Sequence, residues 1–231
     1  MPLGKILALI GFQTGAFALI GWSLWALSHD TSLPFISFAL WEIGYGLALG
    51  GALIVASATL AAISPALMEK LVRAQAGTYP FLKDRLSLGP IVFLSLCAGI
   101  GEEALFRGGL QTWLGDYVPY PYPVLLAALA FALIHFAKPL ISALIFAIGC
   151  LFGVIYWATG SLLTVMIGHA VYDIYAIWAL QEAFHRLGVF AQTSPDVSPA
   201  ASPAASLNAD LPEGSARETL SIKHETTGED S

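Results

Sequence analysis

Charge is what this chain has least of. Asp, Glu, Lys and Arg make up 11% of its 231 residues, against 57% hydrophobic residues and a mean hydropathy of +0.73. A soluble domain carries roughly 25% charged residues. The composition therefore excludes a soluble globular protein and points to a chain that crosses a membrane several times. Cysteine is scarce too: Cys97 and Cys150 both fall in apolar runs and read as buried thiols, with no spacing that suggests a disulfide framework or a zinc ribbon. There is no basic patch with interleaved aromatics, which excludes nucleic acid as a partner. No segment recurs at a fixed period, which excludes a repeat array.

What is present is a succession of long apolar runs. Spans are expected at about Leu3–Leu27, Phe35–Ile63, Leu88–Trp113, Val124–Ala137, Leu140–Ala158 and Leu162–Leu187. The first run is longer than the 7–15 residue core of a signal peptide and reads as a retained helix. The fold class expected is all-α, a polytopic membrane helical bundle of about six transmembrane helices. Pro65–Gln75, in the most polar stretch of the domain, is expected to form a surface helix. Glu42 is expected at an interface, with a buried polar role as the alternative, and Gly46 and Gly50 are spaced for close helix packing. Residues 1–190 form the transmembrane helical domain, and 191–231 form an acidic, Ser/Pro/Ala-rich tail. That tail carries seven acids against Arg217 and Lys223, buries too little apolar surface to fold, and is expected to be disordered.

The basic residues orient the six spans. With the N-terminus inside, Lys5, Lys70, Arg73, Lys83, Arg85, Lys138 and Arg186 all fall on the cytoplasmic side, and the outer loops hold no Lys or Arg. That asymmetry predicts an integral multi-pass protein of the cell (inner) membrane with both termini cytoplasmic.

Against this background the stretch Gly99-Ile-Gly-Glu-Glu-Ala-Leu-Phe-Arg-Gly-Gly-Leu-Gln111 stands out. From Gly89 to Arg107 there are eight Leu, Ile, Phe and Val residues, worth roughly 4 kcal/mol on insertion scales, whereas three charges cost about 8–10 kcal/mol. The segment makes sense only if Glu102, Glu103 and Arg107 lie near an interface, pair with each other or face partners on other helices. Glu103 and Arg107 are four apart and share a helical face, so an ion pair is available; Glu102 points about 100° away. His135 and His169 are the two histidines placed in spans, and Asp173 lies four residues after His169. Each feature alone is ordinary in a membrane helix. Together, on three helices of a chain so poor in charge, they argue for a polar intramembrane site.

Three kinds of chemistry suit the set: a Glu/His-activated water, a metal-activated water held by some of Glu102, Glu103, His135, His169 and Asp173, or a proton relay in a transporter. No Ser or Cys has a setting that suggests a covalent nucleophile. No two histidines share a helix at i,i+4 as in the HExxH zinc motif, and Arg107 would repel a cation. A metal-free site is therefore favoured, with zinc as the alternative.

The run Glu102-Glu103-x-x-x-Arg107, then Phe131-x-x-x-His135, then His169-x-x-x-Asp173 resembles the three signature motifs of the CPBP family. These are the CAAX prenyl endopeptidase and bacteriocin-processing (Abi) intramembrane proteases. Thr159-Gly160-Ser161-Leu162 ahead of Gly168-His169-Ala170 is similar to the lead-in to the third motif, and the likeness covers about residues 82–181. It implies a membrane endopeptidase with its site in a cavity within the bilayer, acting on a membrane-associated or membrane-inserted peptide or protein. By motif position Glu102 would be the general base, supported by Glu103 and Arg107. His135 would be the second catalytic residue, and His169 with Asp173 would orient or stabilise the oxyanion. The last motif position is commonly Asn. Asp173, when ionised, can only accept a hydrogen bond, so it is expected to be protonated by burial or to orient His169. A non-proteolytic immunity or scaffold protein of the same family and a proton-coupled transporter are the alternatives. On depth, Glu102 and His169 agree, whereas His135, close to Lys138, is expected nearer the cytoplasm.

Overall fold

The computed structural model describes residues 2–28 and 34–190. The expected disordered tail, 191–231, lies outside the described residues. Among those described, all regular structure is helical: α1 Leu3–Leu27, α2 Leu40–Ile63, α3 Pro65–Gln75, a 3₁₀ turn Pro80–Lys83, α4 Leu88–Glu103, a π-helical segment Ala104–Gln111, α5 Thr112–Gly115, α6 Tyr122–Leu133, α7 Pro139–Thr159 and α8 Leu162–Arg186. Five continuous helices are long and apolar enough to cross a membrane, with α4 through α5 counting as one, and α6 is a shorter apolar helix. Many large apolar side chains on α1 and α2 face outward, Phe12 and Leu40 among them, as a bilayer solvent requires.

Small residues set the packing. A Cβ on Gly46 or Gly50 would stand 2.6 Å from Ile167 Cβ and 2.7 Å from Val171 Cβ, so the expected close-packing pair seats α2 on α8. A Cβ on Gly109 would stand 2.6 Å from Gly21 Cα; there α1 and the π-helical segment meet backbone to backbone. Phe152, Tyr156, Leu162, Val165, Met166 and Ala104 form the central apolar cluster.

Several boundaries differ from expectation, each for a local reason. The second span begins at Leu40 rather than Phe35 because Glu42 reaches back to cap the helix: Ala39 N–H donates to Glu42 Oε2 at 2.8 Å and Ser37 donates to Oε1. Phe35, left outside the helix, packs at 5.7 Å from the Trp25 ring. Glu42, expected at an interface, is 1% exposed, and Thr164 Oγ1 donates to its carbonyl at 3.2 Å. The third span is not one α-helix. Its backbone widens over the eight residues Ala104–Gln111, and Thr112 Oγ1 caps the Arg107 carbonyl at 3.1 Å. Such π-helical turns are rare and concentrate at functional sites. The fourth span stops at Leu133, and a turn containing Phe136 at φ 45 carries the chain to α7. Between the spans expected to end at Ala158 and to begin at Leu162 the chain turns: Gly160 adopts φ 64, which a glycine takes without strain, and Ser161 Oγ caps α8 by accepting from Thr164 N.

The expected surface helix, α3, buries Leu71 and Val72 and turns its charged face outward. With Leu82 of the 3₁₀ turn it packs on Ala183 and Phe184 near the end of α8. Leu86 N–H donates to Gln181 Oε1 at 2.7 Å, and Arg85 pairs with Glu182. This cap lies beside the C-terminal half of α8, below Asp173.

Candidate active site

Arg107 is the largest fully buried side chain among the described residues. An unpaired guanidinium there would be prohibitively costly, and four neighbours answer for it. Its Nη1 donates to Glu103 Oε1 at 3.0 Å and its Nη2 to Gly149 O at 2.9 Å. The Phe131 and Phe152 rings lie 4.6 and 5.7 Å from its central carbon, close enough for cation–π attraction. Gly149 and Gly153 keep this face of α7 open: a Cβ on Gly153 would stand 2.7 Å from Gln111 Oε1, and Gln111 Nε2 donates to Gly153 O at 2.9 Å.

Glu103 Oε1 has a second partner, His169 Nδ1, at 2.8 Å. The opposite ring nitrogen, Nε2, faces two more carboxylates: Asp173 Oδ2 at 3.5 Å and Glu102 Oε2 at 3.8 Å. One imidazole is thus enclosed by three acids. Glu103 Oε2 is buried without a hydrogen-bond partner among the described residues. Five of the six expected residues (Glu102, Glu103, Arg107, His169 and Asp173) therefore form one connected cluster from α4, the π-helical segment and α8.

His135 stands differently from expectation. It lies on the turn after α6 rather than in a span, because Lys138-Pro139 starts a new helix and the old one ends early. It has no hydrogen bond or ion pair to Glu102 among the described residues. Its Nδ1 is 2.7 Å from Phe131 O. Phe131 joins it to the cluster, with ring centroids 4.8 Å from His135 and 6.3 Å from His169.

One residue near the cluster gave no signal in the sequence. Tyr79, in the connection after α3, is half-buried. Burial raises its phenol to about 12, and the Asp173 and Glu102 carboxylates add to the rise. A lone aromatic in a polar loop has no spacing that would mark it.

Whether zinc suits the residues can be asked of their geometry. Among the described residues no group of three or more His, Cys, Asp and Glu side chains is arranged to hold a metal ion. Glu103 Oε1 is taken by Arg107 and His169, and His135 is turned onto a backbone carbonyl. Glu102, Glu103, His135, His169 and Asp173 do not make up one ligand set as they stand.

The segment that contains all six residues is also the segment that comparison picks out. Residues 84–175 match the family model "Type II CAAX prenyl endopeptidase Rce1-like". The resemblance read from the three motifs is thereby shown, and the family is one of proteases. The chain is also similar to the uncharacterized protein YpbD of Bacillus subtilis (strain 168), 36% identical over 107 residues, which are 45% of this chain and 51% of that protein. It thus spans about half the length of the curated relative it matches. No solved structure matches it.

Proposed function

We propose that the protein is an intramembrane endopeptidase that hydrolyses a peptide bond with a water activated at Glu102. The observation that carries this reading is the enclosure of His169 by Glu102, Glu103 and Asp173 inside the segment that matches a protease family. Glu102 is freer than its neighbour Glu103. Glu103 is locked by Arg107, and Glu102 is the more exposed of the two, at 16% against 0% for their side chains.

In this reading Glu102 takes a proton from water as the oxygen attacks the scissile carbonyl carbon. The His135 Nδ1–H, given to Phe131 O, leaves Nε2 as an acceptor that helps hold the water. Glu103 fixes the His169 ring through Nδ1. With a proton on Nε2, His169 would donate to the developing oxyanion, and Asp173, 3.5 Å from that nitrogen, supports that proton. This gives Asp173 the orienting role. Glu102 then returns its proton to the departing amine as the C–N bond breaks, leaving an acid and an amine. No step is routed through a metal. The substrate is a membrane-associated or membrane-inserted peptide or protein, and the chain is oriented with both termini in the cytoplasm.

Glu102→Gln preserves size and removes the base. It is expected to lower turnover of a membrane-embedded reporter peptide by about 10²–10⁴-fold while insertion and purification stay normal. Wild-type turnover in that variant would sink the general-base assignment.

A further inference from the structure

Away from the acid cluster, α3 and the start of α7 flank an open surface cavity of about 500 Å³ lined by Ala66, Glu69, Lys70, Arg73, Ala74 and Lys138. Its polar lining is three cations and one acid. Glu69 is engaged by Arg73, Nε to Oε1 at 2.8 Å, so the ion pair leaves the cavity with a net charge of about two positives. The Lys70 and Lys138 side chains make no hydrogen bond or ion pair among the described residues. Lys138 caps α7, whose first intrahelical bond runs from Ser142 N to Lys138 O. The amides of Leu140 and Ile141 therefore lack intrahelical partners and add the positive end of a 21-residue helix to the same place.

The neighbours of these cations are apolar and exposed. Leu67 follows Ala66, and Phe136 and Leu140 stand two residues to either side of Lys138; they are 37%, 95% and 42% exposed. Phe136 is held outward by a left-handed turn at φ 45, a conformation uncommon for a bulky residue. An acidic peptide needs the cations and has no use for such a rim. A phospholipid needs both, since its headgroup is anionic and its chains begin within a few ångströms of the phosphate. The outer face of α3 carries Lys70 and Arg73, and basic residues placed at a membrane surface attract anionic lipid.

We propose that this cavity binds the phosphate headgroup of an anionic phospholipid between Lys70, Arg73 and Lys138. The inference does not depend on the peptidase reading. It has a consequence for that reading all the same: His135 is three residues from Lys138, so a bound lipid pins the turn that carries His135.

The test uses the detergent-purified full chain and native mass spectrometry with phosphatidylglycerol or phosphatidylcholine added. Wild-type protein is expected to retain phosphatidylglycerol in preference to phosphatidylcholine. The variant Lys70→Ala/Lys138→Ala should lose that preference by about tenfold or more, and Lys70→Arg/Lys138→Arg should keep it. Both variants lie on the surface, and unchanged thermal unfolding without added lipid serves as the control for folding. Equal retention of phosphatidylglycerol by the Ala variant and the wild type would overturn the proposal. Displacement of the lipid by millimolar inorganic phosphate would show a site for free phosphate, and displacement by an acidic peptide a site for protein; either result overturns the lipid assignment.

Discussion

His169 Nδ1 and Glu103 Oε1 lie 2.8 Å apart, in a position where neither is open to solvent. The same oxygen binds Arg107, so one carboxylate oxygen sets both the ring that faces Glu102 and the buried cation. Loss of the charge leaves Arg107 unbalanced. Glu103→Gln is expected to destabilise the protein by about 3–5 kcal/mol, as breaking a buried pair does, whereas Glu102→Gln costs little. Thermal unfolding of the two variants in one detergent checks this. Equal stabilities would mean that Glu103 is not the anchor.

Tyr79 provides a reporter of the cluster's charge. A phenol held to about 12 in the folded chain against about 10 in the unfolded one keeps its proton while the unfolded chain gives it up. Its contribution to stability is therefore whole below pH 10 and is lost as pH rises to 12. Ultraviolet difference titration of wild type minus Tyr79→Phe should show one phenol titrating near that value. Asp173→Asn should lower it, because an acid that adds to the shift is gone. A Tyr79 that titrates normally, or ignores Asp173, contradicts its placement beside the site.

Chelation separates the two chemistries that the residues admit. Purified protein stripped with a strong chelator is expected to keep its turnover of a membrane-embedded substrate, with bound zinc well below one equivalent. If activity vanishes and returns only with zinc at one equivalent, Glu102, Glu103, His135, His169 and Asp173 must be reassigned as ligands, with rearrangement around Glu103.

The orientation rests on the placement of Lys and Arg. A reporter that is active only in the cytoplasm, fused after Arg186, should be active; a reporter that is active only outside should be silent. The reverse pattern would require a different count of crossings, and α6, the short helix, is where that count would change.

The sequence carried the periodic parts of this architecture. Glu103 and Arg107 pair as four-residue spacing implies, and Gly46 and Gly50 seat α2 on α8. The parts that escaped depend on contacts distant in the chain. The π-helical widening at Ala104–Gln111 coincides with the approach of Gly21 on α1 to Gly109, which no local spacing records. Glu42 looks like an interfacial acid until α8 is seen packed over it. His135, expected within the span Val124–Ala137, lies on a turn because α6 ends at Leu133, six residues before Pro139 opens α7. Tyr79 reaches the cluster because α3 folds back onto α8.

The length of α6 bears on the membrane itself. Twelve residues at 1.5 Å each give about 18 Å, against a hydrocarbon thickness of about 30 Å. A wall that short leaves a mismatch of roughly 12 Å, which lipids relieve by thinning or by letting the headgroup layer sink. Such a dip would lie at the end of α6, where Phe131 and His135 stand. Hydrolysis consumes one water per bond, and a dip there would bring the aqueous phase nearer the acid cluster, so a thicker bilayer is expected to slow the reaction before it unfolds the protein.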